Sequence, residues 1–155
     1  MSVMTLGNKP IMTVSQYKNN VKSLQVQLIP IVENILDDLN DEIVGLIQEQ
    51  LSEGERGDGS RLPLYKESTK LIKKERGTIL MGERIALIDT GRFWDSMFSN
   101  IYKESIMVDS KDWKRDMLVE QYGNEIFLIS EKQMSYLADL VRPHFFAKVN
   151  EILAS

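Results

Sequence analysis

Four carboxylates fall within a six-residue stretch, Asp37, Asp38, Asp41 and Glu42. On a helix Asp38 shares a face with Glu42, and Asp37 with Asp41, so a Mg²⁺ or Ca²⁺ site is geometrically open to them. Hard cations draw ligands from several elements, however, and a single helical turn supplies a solvated acidic face instead. The one histidine, His144, lies between Pro143 and two phenylalanines. It would need a nucleophile or an orienting carboxylate to act as a base; otherwise it is a packing or helix-surface residue. Asp89-Thr90-Gly91 has the letters of an aspartic-protease motif, but that chemistry shares a proton between two such aspartates. A second copy of the motif is absent, and a helix rather than a strand is expected after it. The glycine loop over 54–60 has neither the alternating Asp/Asn and closing Glu of an EF-hand nor the Lys-Ser/Thr of a P-loop. The expected catalytic, cofactor and metal residues are therefore none, and the chain reads as a non-enzyme.

The elements that must position these groups follow from composition and period. The chain has 155 residues, 43% hydrophobic and 27% charged, enough for one domain with a real core and a solvated surface. There are no cysteines, which excludes a disulfide scaffold, thiolate zinc and a cysteine nucleophile. No apolar run reaches a membrane span, and Met1–Thr13 lacks the apolar centre of a signal peptide, so a soluble intracellular protein is expected. Net charge is −4 but uneven. Residues 1–60 carry four basic and nine acidic side chains (net −5), residues 61–79 six and two (+4), and residues 80–155 nine and twelve (−3). One basic segment in an acidic chain argues against a dedicated nucleic-acid binder.

Residues 1–12 read as a flexible N-terminal arm and 13–155 as a single α+β domain, with a hinge in loop 54–60. Thr13 with Gln16 forms a capping box. Behind it Tyr17, Val21, Leu24, Leu28, Ile31, Ile35 and Leu39, then Ile43, Ile47 and Leu51, continue one apolar stripe over about 14–53. Pro30 should kink or split that helix near Ile29. A short basic helix over 64–76 stops at Gly77. A short helix capped by Asp89 or Thr90 carries Phe93 and Trp94, which plug it into the core, with Ser96 closing the motif. Near-alternation over 98–110 predicts a strand, Ser110–Asp112 a turn, and 113–122 a second strand or short helix. Ile126 to Ile129 is an apolar plug, and Ser130 with Gln133 is a second capping box opening a long final helix over 131–154, bent at Pro143. The fold expected is α+β: a long kinked N-terminal helix, a short basic helix, a small antiparallel β element and a long C-terminal helix.

Two groups of residues read as candidate interfaces. Lys66, Lys70, Lys73 and Lys74, with Arg76, place cations along one helix, where phosphate binding competes with an ordinary solvated face. Arg142 and Phe145, in Arg142-Pro143-His144-Phe145-Phe146, combine the residue types that concentrate at interface cores, against simple core packing of the phenylalanines. Trp94 and Trp113 read as core or subunit-contact anchors.

The ordered series Leu64-Tyr65…Ser68-Thr69-Lys70…Lys73-Lys74…Gly77, then Leu87 to Ser96, then Glu120 to Gly123 with Ile126-Phe127-Leu128, closed by Arg142-Pro143, resembles the head–tail connector or tail-completion proteins of tailed bacteriophages. The versions of the crAss-like group, in phages of Bacteroides-type hosts, are the most similar. The resemblance spans roughly residues 60–150, and the family usually places more strand between the two motifs. It implies a virion structural protein of the neck at the portal vertex, assembled in the host cytoplasm as a homo-oligomeric ring of twelve or six copies. Such a ring contacts a portal or adaptor protein and tail proteins, lets genome DNA pass without specific binding, and touches no membrane. Residue chemistry leaves two rivals: a small metal-dependent nuclease using Asp37, Asp38, Asp41 or Glu42, and a host-directed helical binding protein.

Overall fold

The Thr13–Gln16 capping box forms in both directions: the Gln16 N–H donates to Thr13 Oγ1 (3.2 Å) and the Thr13 N–H to Gln16 Oε1 (2.8 Å). With its first N–H groups satisfied, helix α1 runs unbroken from Val14 to Asp38. The computed structural model describes residues 4–6, 9–80, 82–102 and 105–155. Pro30 does not divide the helix. The interruption lies at Leu39, and α2 follows over Asn40–Ser52. A mid-helix proline removes one hydrogen bond and crowds the carbonyl four residues back, which α1 accommodates, whereas Asp37, Asp38, Asn40 and Asp41 crowd weak helix formers around Leu39. The Asn40 side chain is also taken by another element: its Oδ1 accepts from the Ser99 N–H (3.0 Å) and from the Ser99 hydroxyl.

The fold is α+β, mainly helical with small antiparallel sheets. The chain groups into two compact units, residues 1–38 with 138–155, and residues 39–137. Strands β1 (Met4–Leu6) and β2 (Lys9–Ile11) pair antiparallel in the first unit, within the expected arm. There too the Asn20 amide donates to the carbonyls of Leu153 (3.2 Å) and Ser155 (2.8 Å), tying α1 to the end of the last helix.

The second unit holds most of the core. Ile43, Ile47 and Leu51, spaced by four on α2, are fully buried with Leu62, Ile126 and, almost fully, Leu137. The stretch over 98–110 forms a hairpin rather than one strand: β3 (Met97–Tyr102) pairs with β4 (Ser105–Ser110), Met97 opposite Ser110 and Tyr102 opposite Ser105. Alternation has the same period on both arms of a hairpin, so it cannot locate the reversal. One face of this hairpin, carrying Met97, Ser99, Val108 and Ser110, is buried.

Helix α3 covers Glu67–Arg76 and ends on left-handed Gly77. It starts later than the basic pattern suggests because residues 63–65 are extended: the Tyr65 N–H donates to Glu83 O and the Ile85 N–H to Pro63 O. Then come α4 (Arg92–Asp95), α5 (Arg115–Tyr122), a 3-10 turn over Asn124–Phe127 and α6 (Glu131–Leu153). Helix α6 continues through Pro143. The glycine loop lies inside the second unit and is held at several points. The Gly57 N–H donates to Glu125 O (2.9 Å) and Arg56 Nη1 to Tyr122 O (2.9 Å), and a Cβ on Gly57 would fall 2.2 Å from the Leu128 carbonyl oxygen. Glycine is required there by close approach.

Among the described residues no helix is long and apolar enough to cross a membrane.

Candidate functional site

An open cleft of about 690 Å³ lies in the second unit between α3, the loop over 85–92 and α5. An ionic bridge spans it. Asp89 places one carboxylate oxygen 3.6 Å from Lys73 Nζ and the other 3.5 Å from Lys114 Nζ. Asp89 thereby links α3 to the residue before α5, and does not cap α4 as expected. The N-cap of α4 is Gly91, with φ +91°, and among the described residues no side chain caps the helix. Thr90 is exposed and lines the cleft.

Lys73 is the most enclosed cation at the site. Its ammonium donates to Ile88 O (2.7 Å) and stands 5.6 Å above the centre of the Tyr65 ring. Burial holds the Tyr65 phenol above its ordinary range, and the Asp89 charge adds to that, so the ring stays neutral. Tyr122, also lining the cleft, is pushed up first by burial and then by Tyr65.

Loop 85–92 is shaped by the motif the sequence singles out. Phe93 is buried with its ring 5.8 Å from that of Phe127. Trp94 is half-buried, and its indole N–H donates to Ala86 O (3.1 Å). The Ser96 hydroxyl donates to Arg92 O (2.7 Å) and lies 2.9 Å from Ser110 Oγ, which closes α4 onto β4. Leu87, buried beside the cleft, has φ +56°. A branched-chain residue in that region carries roughly 1–3 kcal/mol of strain, which the surrounding packing must hold.

The candidate interface cations do not act as one face. Lys70 pairs with Glu67 (3.1 Å) and with Glu83, which raises its pKa, Glu83 contributing most. Lys73 is committed to Asp89. Lys66 and Arg76 are exposed at the cleft margin, while exposed Lys74 lies outside it. In the first unit, Arg142 pairs with Asp139 (2.8 Å), Phe145 is half-buried with its ring 5.9 Å from that of Phe146, and His144 is exposed. Asp37, Asp38, Asp41 and Glu42 are exposed. Among the described residues no group of three His, Cys, Asp or Glu side chains is placed to hold a metal ion.

The α5 side of the cleft is not assembled by sequence reasoning. Trp113 is 75% exposed, so it is no core anchor, and Met117 beside it is half-exposed. A Trp-Lys pair directly after a turn was the available signal. The chain matches no family model, no curated protein and no solved structure.

Proposed function

We propose that this chain is a structural subunit of a multi-subunit assembly, a ring-forming head–tail connector of a tailed-phage neck joining portal to tail. The observation that carries the assembly reading is helix α1. It spans 25 residues yet buries only Ile31, leaving Val14, Tyr17, Val26, Leu28 and Ile29 exposed. Protein helices owe most of their stability to packing of an apolar face, so such a helix calls for a second surface. Rings are closed by heterologous contacts, in which one patch meets a different patch on the neighbour, and long helices with open apolar sides suit that geometry. The phage assignment within this class rests on the ordered motif series from Leu64 to Pro143.

Peptide mass spectrometry on purified, nuclease-treated particles, run beside the infected-cell lysate, tests the proposal. A connector is retained in the particle at a copy number far below the capsid protein. Detection in the lysate alone would sink the neck reading and favour a host-directed helical module, which would use the same exposed apolar residues of α1.

A further inference from the structure

We propose that the cleft between α3, loop 85–92 and α5 docks an acidic, apolar-anchored peptide segment of a partner protein. This goes beyond the connector reading and does not depend on it.

Charge is the first argument. Five cations line the cleft (Lys66, Lys73, Arg76, Arg92 and Lys114) against two carboxylates, Asp89 and Asp112, in a chain whose net charge is −4. Lys73 and Lys114 share Asp89. Lys66, Arg76 and Arg92 are exposed and have no carboxylate within ion-pair range among the described residues. The cleft is therefore a cationic rim left uncompensated inside an acidic protein, which selects for an acidic partner.

Spacing is the second. Lys66 precedes α3 and Arg76 ends it, which puts them about 15 Å apart at 1.5 Å per helical residue. Arg92 stands on a different element. One compact anion cannot reach charges so separated, whereas successive carboxylates along a peptide can. The third argument is apolar surface between the charges. Trp113, Leu64, Met117 and Ile72 all line the cleft with large exposed side chains. An exposed tryptophan flanked by cations in a concave site is the residue type that anchors protein interfaces. At about 690 Å³ the cleft exceeds one side chain and admits two or three.

Trp113 also provides the readout, because its indole passes from water to a covered site on binding. The purified full chain is titrated with a short synthetic peptide of glutamates interleaved with leucine and one phenylalanine. The controls are the same peptide with lysine for glutamate, a single-stranded oligonucleotide, and phosphatidylglycerol vesicles. The acidic peptide should shift tryptophan emission to the blue, and Trp113→Phe should abolish the shift. The double variant Arg76→Glu/Arg92→Glu should weaken binding by roughly tenfold or more, as should raised salt. Neither arginine makes an ion pair among the described residues, so the double variant should keep the wild-type circular dichroism and melting curve. An equal response to the lysine peptide, or a response only to oligonucleotide or vesicles, would overturn the proposal. So would a blue shift driven by protein concentration alone and lost in the double variant, which would make the occupant a second copy. Particle content plays no part in these measurements, so this inference and the connector reading fail separately.

Discussion

Helices α1 and α2 are consecutive, similar in residue types and opposite in how they are held. Thirteen-residue α2 buries Ile43, Ile47, Gln50 and Leu51, while 25-residue α1 buries Ile31 alone. Both carry aliphatic residues at spacings of three and four, which is all that an amphipathic helix requires locally. The difference lies in what covers the stripe. Around α2 the chain supplies Leu62, Ile126 and the buried face of the β3–β4 hairpin, whereas on α1 the stripe residues Tyr17 and Leu28 are exposed and Val21, Leu24 and Ile35 only half-buried. A stripe in the sequence thus announces a helix that wants a partner, without saying whether its own chain provides one.

The largest expected effect tests that contrast directly. Ile47→Ala should cost about 2–5 kcal/mol of unfolding free energy, because it removes a fully buried side chain and leaves a cavity. Leu28→Ala, on the stripe of α1, should cost no more than about 1 kcal/mol. Urea unfolding of the two variants beside wild type measures both. If Leu28→Ala proved as costly as Ile47→Ala, the face of α1 would be covered in the isolated protein and the contrast would collapse.

A second pair sharpens the account of what holds α2. Gln50 is buried and used at both ends: its amide donates to Leu128 O (2.8 Å) and its carbonyl accepts from the Ser130 N–H (2.9 Å). Gln133 is equally buried, but among the described residues its Oε1 has no partner and its amide makes only a 3.4 Å contact with Glu49. Gln50→Leu should therefore cost about 1–3 kcal/mol for each backbone group it orphans, while Gln133→Leu should fall within about 1 kcal/mol of wild type or stabilise. Thermal unfolding of the two leucine variants decides it, and equal losses would mean that Gln133 is satisfied in solution.

The legible parts of the fold share one property, which is locality. The Thr13–Gln16 box, the helix stop at Gly77, the stripe from Ile43 to Leu51 and the turn ahead of Trp113 each depend on residues a few positions apart. Ser130 is instructive because it is half legible: its hydroxyl does accept from the Gln133 N–H (3.3 Å), yet its own N–H goes to Gln50, eighty residues away. Non-local pairing also explains the misplaced features. Asp89 could be read as a cap because Thr90 and Gly91 sit beside it, but its partners Lys73 and Lys114 come from two other elements. The cleft exists only once α3 and α5 flank loop 85–92, so its two halves were visible separately, as a basic helix and a tryptophan, and not as one site. The break at Leu39 follows the same rule, since Asn40 is drawn to Ser99 in β3.

A smaller effect probes how α1 is held in place of packing. Thr13→Ala removes the acceptor for the Gln16 N–H, and a lost N-cap costs about 1 kcal/mol of helix stability. Because α1 has so little burial behind it, the loss should appear as reduced helical ellipticity at 222 nm and faster amide exchange over the first turns of α1. Exchange at Ile43 and Ile47 should stay unchanged. Faster exchange at Ile43 and Ile47 with an intact α1 would reverse the ranking of the two helices.

The smallest effect belongs to the ion pair that ties β4 to α5. Arg115 holds Asp109 at both oxygens, Nε to Oδ1 at 2.7 Å and Nη2 to Oδ2 at 3.2 Å. Partial burial pushes the Asp109 carboxyl up, but the guanidinium and the Ser110 N–H outweigh it and keep the group below its ordinary value. A carboxylate with a lower pKa in the folded chain favours folding above its unfolded pKa of about 3.9, and that contribution disappears as pH falls through the folded value. Both partners are about one-third exposed, so the pair contributes no more than about 1 kcal/mol. Stability followed from pH 7 down to pH 3 should therefore fall slightly less for Asp109→Asn than for wild type, with the two curves converging at the acid end. A variant curve parallel to wild type at every pH would show that Arg115 is solvated in solution, leaving β4 and α5 joined by apolar contact alone.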